Sequence, residues 1–360
     1  MQLISTNPSR NYEILGEVTI STEKEIRNAV TSARKAFSIL KAPHLTKGDT
    51  IGIIAPAMPV TPSSRQNYER GKKVLQDMGF KLKEGKTIGL QRWWAAGTPQ
   101  EQAADINTMF ADTDVKAIIA SAGGHSAISV LEHIDYELIK KHPKPFMGMS
   151  DITVYHTAFF AKCGLVGFHT GDLSFQLGWD YKENEKWQEK IVNEMLYHML
   201  TEPNPFGKLH PLSQWECWRA GTAQGKLMGG MVYLLTGQAG TEYFPPVEAF
   251  DNAILFVEES GKTLFNIVRL LYHLKYLGIF DRISGMILGK ISDLQDFPDK
   301  ELVFPAPKEA IMDVLKNYNF PILANVDFGH YTANLTMPIG IEASMDAKSL
   351  TIEILESAVQ

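Results

Sequence analysis

Three stretches of this chain carry side chains able to do nucleophilic or acid–base work. Residues 118–136, IIASAGGHSAISVLEHIDY, run an apolar strand into two glycines and then directly into helix-forming residues. A nucleophile elbow needs this layout: a tight turn lifts one side chain to the mouth of a sheet, and the helix start offers backbone N–H donors to a developing oxyanion. Gly123 and Gly124 permit such a turn; the plain alternative is a helix packed close to its strand. Two further groups sit at other strand ends. Glu258 and Glu259 close the apolar run AILFV, and His330 follows Asp-Phe-Gly after another run. A carboxylate and an imidazole so placed can complete a triad, the imidazole taking the nucleophile's proton and the carboxylate holding its tautomer. Taken singly, they are a surface glutamate pair and a loop histidine. Asp151, in the SDIT segment at another strand end, can support the elbow, although a helix N-cap through Ser150 or Asp151 is the simpler reading.

Other chemistries fail on spacing. GMILGK has three residues between Gly285 and Gly289 instead of the four of a P-loop, and Ile follows Lys290 where Ser or Thr is required. There is no G-x-G-x-x-G for a dinucleotide, and the ten histidines form no H-E-x-x-H pair. The two cysteines, Cys163 and Cys217, are far apart and have no zinc spacing, so reduced thiols, no metal and no cofactor are expected.

The elements that must position these residues follow from length and periodicity. The chain has 360 residues, 44% of them hydrophobic and 21% charged, enough for about two domains with sizeable cores. With 35 basic against 41 acidic residues the net charge is -6, without the basic excess a nucleic-acid polymer would require. No run reaches the ~18 apolar residues of a membrane span and no signal-peptide pattern opens the chain, so a cytoplasmic protein is expected. From Lys47 short apolar strands alternate with helical or turn material (TIGIIAPA, KAIIASAGG, residues 145–149 and 165–168), which predicts an α/β fold with a mostly parallel sheet flanked by helices. This first domain covers residues 41–172. Residues 173–220, rich in Trp, Pro and charge, read as a connector or lid with one helix near 189–200. Residues 221–360 carry three more apolar runs and a strand-like tail at 349–355, a smaller, β-rich α/β domain bearing the Glu and His. Residues 1–40 stand apart: an extended piece at 12–20, then an amphipathic helix over 21–37 with Thr22 and Glu25 as a capping box. That segment resembles the opening strand and first helix of aldehyde dehydrogenases; nothing downstream continues the likeness, so it reads as an appendage.

From about Leu45 to Leu355 the chain resembles the LD-carboxypeptidase family of serine peptidases, and within it the branch of microcin C immunity proteins. Nine ordered segments carry the resemblance: GDTIGIIAPA, GTPQEQAADIN, GGHSAISVLEHIDYELI, GMSDITVYHTA, GKLMGG, GTEYFP, AILFVEESG, GIFDRISGMILGK and ANVDFGHYTANLTMPIG. The resemblance implies a Ser-Glu-His hydrolase with Glu258 as the triad carboxylate and His330 as the general base. Counted from Gly123, with Asp135 and Tyr136 at the family's distance, it puts the nucleophile position at Ala127, and a methyl group cannot attack a carbonyl. Three readings follow: a serine-to-alanine change introduced into the natural sequence, a natural protein that has lost its nucleophile, or Ser126 as the attacking group. The N–H of Ile128 is the expected oxyanion donor.

The branch resembled cleaves the amide between an aminoacyl or peptidyl group and a nucleotide-like moiety, so a small molecule of that class is the expected partner. Phe175, Trp179 and Trp187 suit a purine, since an aromatic ring stacks on a base for about 1 to 3 kcal/mol, or they pack between the lobes. Relatives that recycle murein take a tetrapeptide carboxylate instead, for which Arg65, Arg219 or Arg269 would be the clamp. A binder that sequesters adenylates without cleaving them is the reading from another class. The resemblance also implies a homodimer.

Overall fold

The computed structural model describes residues 2–7, 13–19, 22, 39–296, 303–330 and 333–360. The chain forms two compact units, residues 1–38 and residues 39–360. In the first, β1 (Gln2–Asn7) pairs antiparallel with β2 (Glu13–Thr19), Gln2 opposite Thr19, with a register shift between Ser5 and Thr6. The helix expected over 21–37 lies outside the described residues.

The second unit opens with alternating strands and helices. β3 (Thr50–Ile54) is a buried strand rich in isoleucine, as the sequence predicts for a strand covered on both faces. Helix α1 (Arg65–Asp77) ends where Gly79, at φ +96°, donates its N–H back to Gln76, a left-handed stop that a side chain resists. β4 (Lys81–Glu84) leads to α2 (Pro99–Ala111), whose start is written in the sequence: Pro99 stands at the first helical position, and Thr98 and Glu101 satisfy each other's backbone N–H groups. β5 (Val115–Ala120) follows, then two single 3₁₀ turns before the short α3 (Tyr136–Lys141), so no regular helix springs from the glycine pair. β6 (Phe146–Gly148), α4 (Thr153–Cys163) and β7 (Gly167–His169) complete this half.

Helix α5 (Lys186–Thr201) then leads to β8 (Gly207–Leu209), β9 (Glu216–Arg219) and the long β10 (Thr222–Met231). α6 (Val232–Gln238), β11 (Ile254–Ser260), α7 (Leu264–Tyr276), β12 (Gly285–Ser292), α8 (Pro307–Val314) and β13 (Ile322–Val326) repeat the alternation. The chain closes with β14 (Met337–Ile339), β15 (Glu342–Asp346) and β16 (Thr351–Ile354).

These strands form a six-stranded sheet in the order β14-β7-β6-β5-β3-β4 and an eight-stranded sheet in the order β8-β16-β15-β10-β11-β12-β13-β9. The first is parallel except for β14, which returns from near the C-terminus to pair antiparallel with β7. In the second, β10 to β13 are parallel and the flanking strands antiparallel. The mixed α/β fold with an N-terminal parallel sheet and a β-rich second sheet is as the periodicity predicts. The segment read as a connector does more than connect: β8 and β9, both from residues 173–220, are the two edge strands of the second sheet. Beneath the first sheet Phe110, Phe146, Tyr155 and Phe159 pack edge to face, stacked or tilted in a fully buried cluster, each such ring contributing on the order of 2 kcal/mol of apolar burial.

Candidate functional site

A cavity of about 360 Å³ opens where the two sets of parallel strands end. Its walls come from residues at or just past the C-terminal ends of β3 (Met58), β5 (Gly123 to His125), β6 (Met149, Ser150), β7 (Asp172, Phe175, Gln176), β10 (Met231, Tyr233, Leu234), β11 (Ser260 to Lys262) and β13 (His330). Ligands collect at this edge of parallel sheets because every strand delivers its following loop to the same side.

The sharpest local feature is at the end of β6. Ser150 follows Gly148-Met149 with φ +58°, in the left-handed region that a non-glycine residue avoids. Such strain persists only where the surroundings enforce it, and a serine held this way between a strand and a helix projects its hydroxyl from the sheet. The enforcing neighbours are glycines. A Cβ built on Gly123 would lie 2.6 Å from the Ser150 Cβ, and one on Gly148 would press on Ile152 and Ala120. Asp151 does not cap α4, whose N-cap is Ile152 without a side-chain bond; its Oδ2 instead accepts the N–H of Ser126 at 2.8 Å and of Ala127 at 2.9 Å, tying the glycine turn to the serine turn.

His330 and Glu258 are brought together: His330 Nδ1 lies 2.8 Å from Glu258 Oε2, and Glu258 is buried. Gly329 makes this approach possible, since at φ +107° a Cβ there would stand 2.8 Å from the Glu258 Cβ. Burial pulls the His330 imidazole down, but the charge and hydrogen bond of Glu258, with Asp172 and Glu259 behind them, outweigh it and hold the group above its ordinary range. Burial, aided by the charge of Glu258, pushes Glu259 up to about 7; its Oε2 accepts the N–H of Tyr233 at 2.8 Å, fixing the start of α6 beside the cavity.

Several sequence expectations sit elsewhere. The methyl of Ala127 is fully buried in the apolar cluster under the first sheet and does not line the cavity. Ser126 is buried too, its Oγ held near the Ala57 carbonyl and Gln102. Ile128 projects its side chain to solvent and is absent from the cavity wall. The structure therefore gives no support to an elbow at Ala127 or Ser126: the two glycines lie against the serine turn of the neighbouring strand. Phe175 lines the cavity, whereas Trp179 and Trp187, 40% and 50% exposed, do not. Arg65 pairs with Glu69, Arg219 donates to the carbonyls of Leu315 and Phe320, and none of the three expected arginines reaches the wall. What the sequence reading missed is Ser150, Asp172, Tyr233 and Lys262. Ser150 carried a signal, Gly-x-Ser directly after an apolar strand; the others carried none.

Residues 51–170 match the LD-carboxypeptidase N-terminal domain and residues 224–345 the LD-carboxypeptidase C-terminal domain. The chain belongs to the LD-carboxypeptidase family of serine peptidases, and is by family a hydrolase. Microcin C7 self-immunity protein MccF of Escherichia coli is 30% identical over 348 residues, which cover 89% of this chain and 97% of that protein. The probable murein peptide carboxypeptidase of Bacillus subtilis (strain 168) is 31% identical over 326 residues, 90% of this chain and 97% of the relative. Among solved structures, MccF in complex with glutamyl sulfamoyl guanosine aligns with a TM-score of 0.80 at 28% identity, over 89% of this chain and 100% of that one. Both family matches lie outside residues 1–40, and the aldehyde dehydrogenase likeness of that segment finds no support in them.

Proposed function

We propose that this chain is a serine amide hydrolase whose nucleophile is Ser150, with His330 as general base and Glu258 as its orienting carboxylate. The observation that carries the reading is one cavity lined by a left-handed serine at a strand end, by the histidine already paired to a buried glutamate, and by the glycine turn. In the reaction Ser150 Oγ attacks the amide carbonyl while His330 Nε2 takes its proton and Glu258 holds the Nδ1–H. The oxyanion is received by the N–H of Asp151, the residue after the nucleophile, and by the N–H of Gly124 in the facing turn. The tetrahedral intermediate expels the amine, protonated by His330, and water then releases the acyl group by the same route. On this assignment Ala127 is a core residue and no obstacle to turnover, which removes the ground for a non-catalytic binder.

The substrate we infer is an aminoacyl or peptidyl amide on a nucleotide-like leaving group, by likeness to MccF, solved with glutamyl sulfamoyl guanosine and with aspartyl sulfamoyl adenosine. Of the aromatic rings at the cavity wall, Phe175 and Tyr233, Phe175 is the one we assign to a base. The murein tetrapeptide reading stands second, supported by the Bacillus subtilis relative. The test is to incubate the protein with aspartyl sulfamoyl adenosine and with a muramoyl tetrapeptide, and to read products by mass spectrometry. Release of aspartate alone supports the first substrate, release of D-alanine alone the second, and cleavage of neither by a folded protein removes the hydrolase assignment. The inferred homodimer is checked by light scattering on the same sample, where a mass near the monomer's 40.2 kDa rejects it.

A further inference from the structure

Two charged side chains in the cavity wall have no part in the hydrolytic step. Lys262 is half-buried and rests its ammonium 3.9 Å from the centre of the Tyr233 ring. Asp172 differs in depth and in company. It is only 3% exposed, lies three residues past the end of β7, and its Oδ1 accepts the N–H of Phe175 at 2.7 Å. The N–H groups of Gly123 and Ser174 also stabilise its charge. A carboxylate offers about four lone-pair positions, so these donors leave one for a ligand, and the group borders the cavity.

Its position relative to the reacting bond follows through one residue. Gly123 packs against the Ser150 side chain and its N–H favours the charged form of Asp172, so a single backbone unit separates the carboxylate from the serine. Burial pushes the Asp172 carboxyl up to about 6, against the N–H groups and His330, which favour the charge, and it is ionised at neutral pH. When His330 is neutral, as a general base must be, this end of the cavity holds the charges of Asp172 and Glu258, and the cationic side chain in the wall is Lys262, on the segment after β11. An anionic group next to the scissile carbonyl would be repelled there, and a cationic one attracted.

We propose that Asp172 is a binding residue for a free ammonium group on the carbon next to the scissile carbonyl, which selects aminoacyl amides over amides whose acyl nitrogen is blocked in a longer peptide. This rests on the hydrolase reading of the cavity and narrows its substrate class. The alternative, that Asp172 serves only to hold the Phe175 N–H, is separable because asparagine caps as well as aspartate and lacks the charge.

The experiment is calorimetric binding of aspartyl sulfamoyl adenosine and of its analogue lacking only the α-amine, measured on the Ser150→Ala protein so that neither is consumed. With Asp172 intact the amine ligand is expected to bind about tenfold to a hundredfold more tightly, the range of a charge-assisted hydrogen bond. In the Asp172→Asn, Ser150→Ala protein that ratio is expected to fall to about twofold or less. Equal affinities with Asp172 intact, or binding of neither ligand, overturn the proposal; so does a preference that survives Asp172→Asn in a protein whose melting temperature is unchanged. Should the asparagine variant fail to fold, the amine preference of the intact protein and its loss on N-acetylation of the ligand decide the matter. If the unmodified protein binds with the expected ratio yet cleaves nothing, the hydrolase reading falls and the ammonium site stands.

Discussion

Two turns of the same sheet invite the same reading and turn out to have opposite roles. Each follows a buried parallel strand, one after β5 at Gly123-Gly124-His125-Ser126-Ala127, the other after β6 at Gly148-Met149-Ser150. The first has the two glycines and a serine, yet its serine is buried and its alanine belongs to the core. The second has one glycine and presents a strained serine to the cavity. The difference lies in where the missing side chains leave room. At Gly123 the absent Cβ makes space for Ser150 of the neighbouring strand, so the glycine is legible only together with a residue 27 positions away (150 − 123). A glycine-rich turn therefore marks a close approach, and the neighbouring strand decides what approaches.

The contrast yields four measurable consequences, the strongest at the serine itself. Ser150→Ala is expected to lower kcat by at least about 10⁴-fold, as loss of a nucleophile does, with ligand affinity retained by calorimetry; turnover within tenfold of the parent would place the nucleophile elsewhere. Glu258→Gln is expected to cost about 10³-fold or more, because the imidazole loses the partner that sets its tautomer. The same variant bears on pH. His330 is held above its ordinary range, so kcat/KM of the parent should rise with pH as the imidazole loses its proton, with a midpoint above about 6.5. Removing the Glu258 charge should move that midpoint down, and an unmoved midpoint would argue against His330 as the base. Gly123→Ala should reduce kcat by about a hundredfold, the scale of a misplaced reacting group, since its methyl must displace Ser150; a neutral outcome would separate the two turns. Ala127→Ser is the mildest. Activity should stay within about twofold, while the buried hydroxyl, short of a partner, costs about 1 to 3 kcal/mol in denaturant unfolding. A gain in activity from this change would restore the elbow at the first turn and reverse the comparison.

Much of the frame was legible. Apolar runs announced β3, β5 and β11, the Thr98–Glu101 box announced α2, and the ends of β11 and β13 announced Glu258 and His330 as candidates. These are local patterns, or side chains whose strand carries them to a shared edge. The serine at the cavity was not legible as such, because the glycine pair makes room for a residue of the neighbouring strand and not for its own turn. Asp172, Tyr233 and Lys262 escaped because a carboxylate after a short strand, an exposed tyrosine and a loop lysine look alike in sequence whether they face a cavity or solvent.

By itself the sequence determined the alternation of strand and helix, the family, and the chemical types available for hydrolysis, because these depend on periodicity and on residue identity in order. Tertiary structure decided which serine stands at the cavity, that the connector supplies both edges of the second sheet, that β14 returns to close the first, and that Asp172 borders the cavity. Each of those depends on contacts between residues distant in the chain, where the steric room left by a glycine or the burial of a carboxylate is set by the neighbour and not by the adjacent sequence.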